Sequence, residues 1–195
     1  MAHYFSKEND LLESKKKDIH FIINKNHYHM TSDSGVFSKS GLDFGTRTLL
    51  ETILPTPYKK VLDLGCGYGP IGIVLGKVWH CSLTMVDINV RAVELAQENV
   101  KNHFLNAKVL QSDGFENVND TFDLIVSNPP IRVGKKIIYQ FFEDALTYLN
   151  EKGSLILVIN KNQGALSAIK ECEKHYALVE VLAKQSGYYV IKCQK

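Results

Sequence analysis

From about residue 60 to the C-terminus the apolar positions of this chain change period again and again. Short contiguous apolar runs at 61–64, 81–87, 108–111, 122–127 and 154–159 read as buried strands. Between them, 70–79, 90–104, 137–149 and 164–176 carry apolar residues at helical spacing. In the second of these helices Val93, Leu95, Ala96 and Val100 mark the inward stripe. Two closing strands are expected at 178–183 and 188–193, with Gly187 between them. Strand–helix alternation of this length predicts an α/β fold: a mostly parallel sheet of seven strands with helices on both faces. The short connection at Gly187 requires one of the last two strands to run antiparallel.

The first 45 residues follow a different pattern. Runs at 19–23 and 27–31 flank Asn24-Lys25-Asn26 and predict a β-hairpin. A turn-rich stretch, 34–41, leads to Gly45-Thr46, where a helix over 46–53 opens and stops before Pro55. Residues 1–45 are therefore expected as an N-terminal extension packed on a catalytic domain of residues 46–195.

Composition narrows the classes without choosing among them. A chain of 195 residues, 45% hydrophobic and 23% charged, has the balance of one globular domain. Its formal charge of +2 does not mark a strongly basic nucleic-acid binder, although a local basic patch suffices for one. Cys66, Cys81, Cys172 and Cys193 lack metal-type spacing and read as free thiols in a reducing cytoplasm. No apolar run approaches the roughly 20 residues of a membrane span, and the first residues lack a signal-peptide core. His27 and His29 share a face of the hairpin, but two imidazoles without a third ligand do not make a metal site.

Two motifs carry chemistry. The run 122–127 ends in Asn128-Pro129-Pro130. Each proline drives the residue before it out of the helical region and lacks an N–H. The strand must then end in a stiff turn that offers the Asn128 side-chain oxygen and a free backbone carbonyl. Both are acceptors suited to an amino group; a rigid strand end without chemistry is the plainer reading of the same residues.

The second motif is Asp63-Leu64-Gly65-Cys66-Gly67-Tyr68-Gly69, between the first strand of the alternating region and its helix. Glycines there allow a sharp turn and close approach of a ligand to backbone. Gly67 to Gly72 also fits the dinucleotide spacing, with Asp87 near the position of a ribose-binding acid. Asp63 argues against a pyrophosphate, which it would repel, and for a cationic or ammonium-bearing ligand without phosphate. Asp87 and Asp113 end the next two strands, so three acids fall along one rim of the sheet, where open α/β sheets bind ligands. Asp87 suits two ribose hydroxyls, with Asn89 as the following helix cap. Asp113 suits an adenine amino group, or an ordinary Asp-Gly turn with Gly114.

Asp63 to Gly69, Asp87, Asp113 and Asn128-Pro129-Pro130 occur in an order and spacing that resembles class I S-adenosylmethionine-dependent methyltransferases. Within that class the chain is similar to the "methyltransferase small" domain family, which includes guanine-N2 methyltransferases of 16S ribosomal RNA of the class C type. Further matching stretches are 35–38, 41–43, Gly45-Thr46, Gly134-Lys135 and 161–165. The resemblance implies a Rossmann-like fold and S-adenosylmethionine as cofactor. It implies a cofactor site of Thr46, Asp63, Gly65, Cys66, Gly67, Gly69, Asp87, Ile88, Asp113, Gly114 and Asn128. It assigns catalysis to the turn Asn128, Pro129 and Pro130, with no metal.

Many such enzymes carry an aromatic residue after Asn-Pro-Pro that stacks on the target base; here it is Ile131, so stacking must come from elsewhere or be replaced by apolar contact. Arg132, Lys135 and Lys161 are the cations beside the motifs and are expected to meet phosphates. The partner implied is ribosomal RNA or the small ribosomal subunit, in the cytoplasm and away from membranes, with the protein a monomer or homodimer. Methylation of a protein glutamine or an adenine, or an inactive cofactor-binding assembly factor, are the alternatives.

Overall fold

The computed structural model describes residues 15–33, 41–129 and 134–195. Strands β1 (Lys16–Ile23) and β2 (Asn26–Asp33) form a separate antiparallel pair. Its loop has two residues, not three: Asn24 and Lys25 both take positive φ, 46° and 66°, and Asn26 already pairs with Ile23. Two successive left-handed residues make the turn whose twist matches the strands, and asparagine tolerates that region well.

The main sheet has seven strands in the order β5-β4-β3-β6-β7-β9-β8. They are β3 (Lys60–Leu64), β4 (Ser82–Asp87), β5 (Ala107–Gln111), β6 (Phe122–Ser127), β7 (Leu149–Asn160), β8 (Leu178–Gln185) and β9 (Tyr188–Gln194). Only β9 opposes its neighbours; it pairs antiparallel with both β7 and β8. Helices α1 (Phe44–Ile53), α2 (Pro70–Trp79) and α3 (Val90–Asn102) cover one face together with the hairpin. Helices α4 (Lys135–Tyr148) and α5 (Ala165–Cys172) cover the other. Alternate side chains of each strand supply the two cores: Val61 packs toward α1–α3 while Leu62 packs toward α4 and α5. None of the described helices is long and apolar enough to cross a membrane.

Several boundaries differ from expectation. Helix α5 ends at Cys172 because the N–H groups of Lys174 and His175 bond three residues back, to Glu171 and Cys172, and tighten the last turn. It begins late because Lys161–Gln163 form a short 3-10 turn closed by Gly164. Strand β7 starts earlier, at Leu149, which pairs with Phe122 across an irregular register.

The chain runs β3, β4, β5 outward on one side, then returns to β6 and β7 on the other. The gap between β3 and β6 is thus the point where the winding reverses, and open α/β sheets bind ligands there. The hydroxyl of Ser127 donates to the Leu64 carbonyl at 2.7 Å and ties the two strand ends together.

One buried polar residue joins the hairpin to this rim. Asn99 lies on the apolar stripe of α3 and is fully buried. Its Oδ1 accepts from the Thr31 N–H at 2.8 Å, and its Nδ2 donates to the carbonyls of Thr31 and Tyr68 at 2.8 and 2.9 Å. The amide stands in for a third strand beside β2 and holds the glycine loop at Tyr68. Replacing Asn99 by alanine strands three backbone groups, so Asn99→Ala should destabilise the fold by about 3 kcal/mol. Chemical denaturation measures the loss, and hydrogen exchange at the Thr31 amide should accelerate with it.

Candidate active site

The glycine loop turns its donors inward. The N–H groups of Gly65 and Cys66 both donate to the Val86 carbonyl at 2.9 Å, that of Gly67 to Asp87 Oδ2 at 2.8 Å, and that of Gly69 to the Cys66 carbonyl at 3.0 Å. Pro70, first in α2, has none to give. These positions therefore offer no ring of N–H groups to a pyrophosphate. Gly65 has φ +72° and open space where a side chain would stand, so the loop's outer surface is free for a ligand. At Gly72 a Cβ would lie 2.9 Å from Met85 Sδ and 3.1 Å from Asp63 Oδ2, so only glycine lets α2 approach β4 and the acid this closely.

Asp63 is wholly buried at the end of β3. Its Oδ2 accepts from the Gly72 N–H at 2.8 Å, whereas Oδ1 has no partner among the described residues. Burial pushes its carboxyl up to about 7; the Gly72 N–H opposes this and the neighbouring negative charge of Asp87 adds to it. Asp87 is also raised, again by burial first, against the N–H bonds it accepts. Its Oδ2 faces Gly67 and its Oδ1 accepts from the Asn89 N–H at 2.9 Å. Asn89 caps α3 through Arg91 and Ala92, as its position suggests. Burial also raises the Cys66 thiol, so it is held neutral beside two acids.

Ile88 is half-buried next to Asp87, and its carbonyl accepts from Gln111 Nε2. Asp113 is exposed at the end of β5, on a turn held by the buried Ser112, whose hydroxyl donates to the Gly114 carbonyl. Gly114 takes φ +54° and packs against Phe141.

Asn128 stands at the end of β6, between these acids and the β7–β9 side. Its Nδ2 donates to Asp43 Oδ1 at 3.2 Å and to Thr46 Oγ1 at 3.0 Å. A carboxylate can only accept, so the nitrogen of the amide must face Asp43 and Oδ1 must face away. Asp43 is also the N-cap of α1: the same Oδ1 accepts from the Thr46 N–H at 3.0 Å. Asp43 lay within a matching stretch of sequence but carried no role there; residue type alone gives no sign of a contact across 85 positions. Thr46, expected on the cofactor side, is buried and bridges to Asn128.

Pro129 is buried; Pro130, Ile131 and Arg132, like the stretch 34–40, lie outside the described residues. Lys135 and Lys161 are exposed. Lys135 borders a small cavity with Gln163 and Gly164, and the Lys161 N–H donates to the Gly187 carbonyl at 2.7 Å. His20 joins His27 and His29 on the outer face of the hairpin, with ring centroids 5.5 and 5.8 Å away, yet no cluster among the described residues is arranged to hold a metal ion.

Residues 27–192 match the model of the methyltransferase small domain. The chain belongs to this family. It is 44% identical over 198 residues to the Bacillus subtilis protein YbxB, itself uncharacterised, covering 99% of this chain and 98% of that one. It is 38% identical over 161 residues to a ribosomal RNA small subunit methyltransferase C of Haemophilus influenzae, covering 80% of this chain and 48% of the relative. The chain thus spans about half the length of the methyltransferase C relatives it matches. Among solved structures, the Thermus thermophilus 16S rRNA N2 G1207 methyltransferase RsmC, in complex with AdoMet and guanosine, superposes with a TM-score of 0.84 at 27% identity, over 96% of this chain and 53% of that one.

Two measurements test this methyltransferase small domain site without any substrate. The ordinary carboxylate value is 3.8 and that of Asp63 in the fold is about 7, so the folded state holds a proton that the unfolded state has released. Its contribution is full below about pH 4 and is lost as pH rises through 7. Relative to Asp63→Asn, the wild type should lose stability in urea denaturation between about pH 4 and 7 and level off above that. For Asp43, alanine should cost about 1–2 kcal/mol as a lost cap. Asparagine, which also caps, should cost less. A double-mutant cycle of Asp43→Ala with Asn128→Ala should show coupling of at least about 0.5 kcal/mol, since the two touch.

Proposed function

We propose that this protein is an S-adenosylmethionine-dependent N-methyltransferase whose target is guanine N2 in small-subunit ribosomal RNA. The observation that carries the reading is the amide of Asn128, held by Asp43 and Thr46 so that Oδ1 faces away from them as an acceptor. Likeness to methyltransferases C and to an RsmC structure with AdoMet and guanosine supports this choice of cofactor and base.

The cofactor fits the residues present. Asp63 Oδ1 is a buried acceptor without a partner, and a ligand bearing positive charge would satisfy it. Asp87 keeps one lone pair on each oxygen after its two N–H bonds, enough for the two ribose hydroxyls. Gly65, Cys66, Gly67 and Gly69 would hold the cofactor from the loop side, Ile88 would add apolar contact, and Asp113 with Gly114 would meet the base. Thr46, whose Oγ1 accepts from Asn128, would donate its hydroxyl proton to the cofactor. S-adenosylmethionine, when bound, supplies an electrophilic methyl group on a sulfonium.

The chain's own part is to orient the amine. Guanine N2 is a poor nucleophile because its lone pair is delocalised into the ring. Asn128 Oδ1 and the Pro129 carbonyl would each accept one N–H, turning the lone pair toward the methyl and stabilising the positive charge that grows on nitrogen. Pro130, by fixing its own φ and restricting Pro129, would stiffen that turn. No base is needed before transfer, because the methylated amine sheds its proton to water afterwards. Ile131 would give the base apolar contact, and Arg132, Lys135 and Lys161 would meet RNA phosphates. A ribosomal RNA substrate places the protein in the cytoplasm.

Asn128→Ala should lower single-turnover methylation of small subunits by about 100-fold, the scale for one preorganised partner of the transition state. Cofactor affinity should stay within a few-fold, since Asn128 acts mainly on the amine. Small subunits from a deletion strain, methylated with tritiated donor and digested to nucleosides, should yield N2-methylguanosine. Label found in protein or in adenine would sink the guanine assignment.

A further inference from the structure

We infer that Phe44 and Tyr188 form an aromatic platform on which the target purine stacks. The inference rests on the guanine reading above and supplies the ring that position 131 lacks.

The strand order divides the rim in two. Asp63, Asp87 and Asp113 end β3, β4 or β5, all on one side of Asn128. If the methyl donor occupies that half, an amine attacking in line must bring its ring from the opposite half, over β7 and β9. Tyr188 opens β9 on that side, opposite Asn160 at the end of β7. Phe44 is the first residue of α1, next to Asp43, and is 39% exposed. The two rings lie with centroids 5.8 Å apart, tilted by 40°.

Gly45 fixes where they sit. A Cβ on Gly45 would stand 2.8 Å from Tyr188 Cε1 and 3.2 Å from Asp43 Oδ1. The tyrosine ring therefore presses on the same turn that grips the Asn128 amide, and only a glycine lets it. Platform and acceptor are parts of one small construction: β9 carries one ring, α1 the other, and Asp43 joins them to β6. The Lys161 main-chain N–H bonds to the carbonyl of Gly187, the residue before Tyr188, and so fixes the turn that presents this ring. Aromatic faces are how single-stranded bases are held, and stacking is worth roughly 5- to 150-fold in affinity per base. Phe104 is more exposed, at 95%, but follows the C-terminal end of α3, away from the strand ends that carry Asn128.

The test uses small subunits from a strain lacking the modification. Phe44→Leu should lower kcat/KM for subunits at least about 10-fold while S-adenosylhomocysteine affinity stays within two-fold. Phe44→Trp and Tyr188→Phe keep an aromatic face and should stay within three-fold of wild type, which a loss caused by misfolding would not reproduce. In parallel, guanosine monophosphate is titrated into the complex with S-adenosylhomocysteine, and the Phe44 and Tyr188 ring resonances should shift. A Phe44→Leu enzyme with wild-type kcat/KM, or rings that ignore saturating nucleotide, overturns the platform while guanine methylation by the wild type stands. Wild-type transfer to protein alone overturns the guanine reading and the platform together, and the labelled product tells the two failures apart.

Discussion

A single carboxylate oxygen, Asp43 Oδ1, takes the N–H of Thr46 at 3.0 Å and the Nδ2 of Asn128 at 3.2 Å. The first bond starts helix α1. The second fixes which end of the Asn128 amide faces outward. Because one atom does both, the helix that covers the sheet and the acceptor at the strand end cannot move independently. Tyr188 pressing on Gly45 extends the same junction to β9. The rim is thus assembled from distant parts of the chain around one charge, and its groups are held in fixed geometry by that junction.

On the other half of the rim the governing constraint is electrostatic. Asp63 and Asp87 are both raised by burial, and Asp63 is raised further by the nearness of Asp87. Two acids in one buried corner repel unless something positive joins them or one stays protonated. The inward N–H groups of the glycine loop relieve Asp87 but leave Asp63 Oδ1 unmet. The same inward bonds deny a phosphate its donors. The loop thus presents a buried, unmet carboxylate oxygen, with four of its own N–H groups already bonded within the protein.

Much of this was legible in the residues. Strand 122–127 and helix 70–79 fall where the apolar pattern puts them, because each has a strong period and a proline or glycine at its end. The seven strands, and one antiparallel strand among the last two, followed from alternation and one short turn; the structure shows that this strand is β9. Helix α5 was read too long, since hydrophobic spacing does not show a last turn tightening into shorter hydrogen bonds. Asn99 is a polar residue on the apolar stripe of α3; its meaning lies in Thr31, 68 residues away. The contacts of Asp43, Phe44 and Tyr188 were not readable for the same reason, as only the folded sheet brings their partners near.

The division of labour among these residues follows from how they are held. Asp63 and Asp87 sit on strands and bond to backbone, so their positions come with the sheet itself. Asn128 does not share that security. It is followed in sequence by two prolines, neither of which has an N–H to give, and its side chain is kept in place from outside, by the first turn of α1. A carboxylate bonded to backbone can rely on the sheet, whereas an amide at a strand end needs its second rotatable bond locked from another element. The hairpin, anchored through Asn99 to Tyr68, and α1, anchored through Arg47 Nη1 to the Ile22 carbonyl at 2.7 Å, brace that lock from above. The residues before the sheet therefore brace both halves of the rim: Asn99 ties the hairpin to Tyr68, beside the Gly67 that bonds Asp87, and Arg47 ties it to the helix whose first turn grips Asn128.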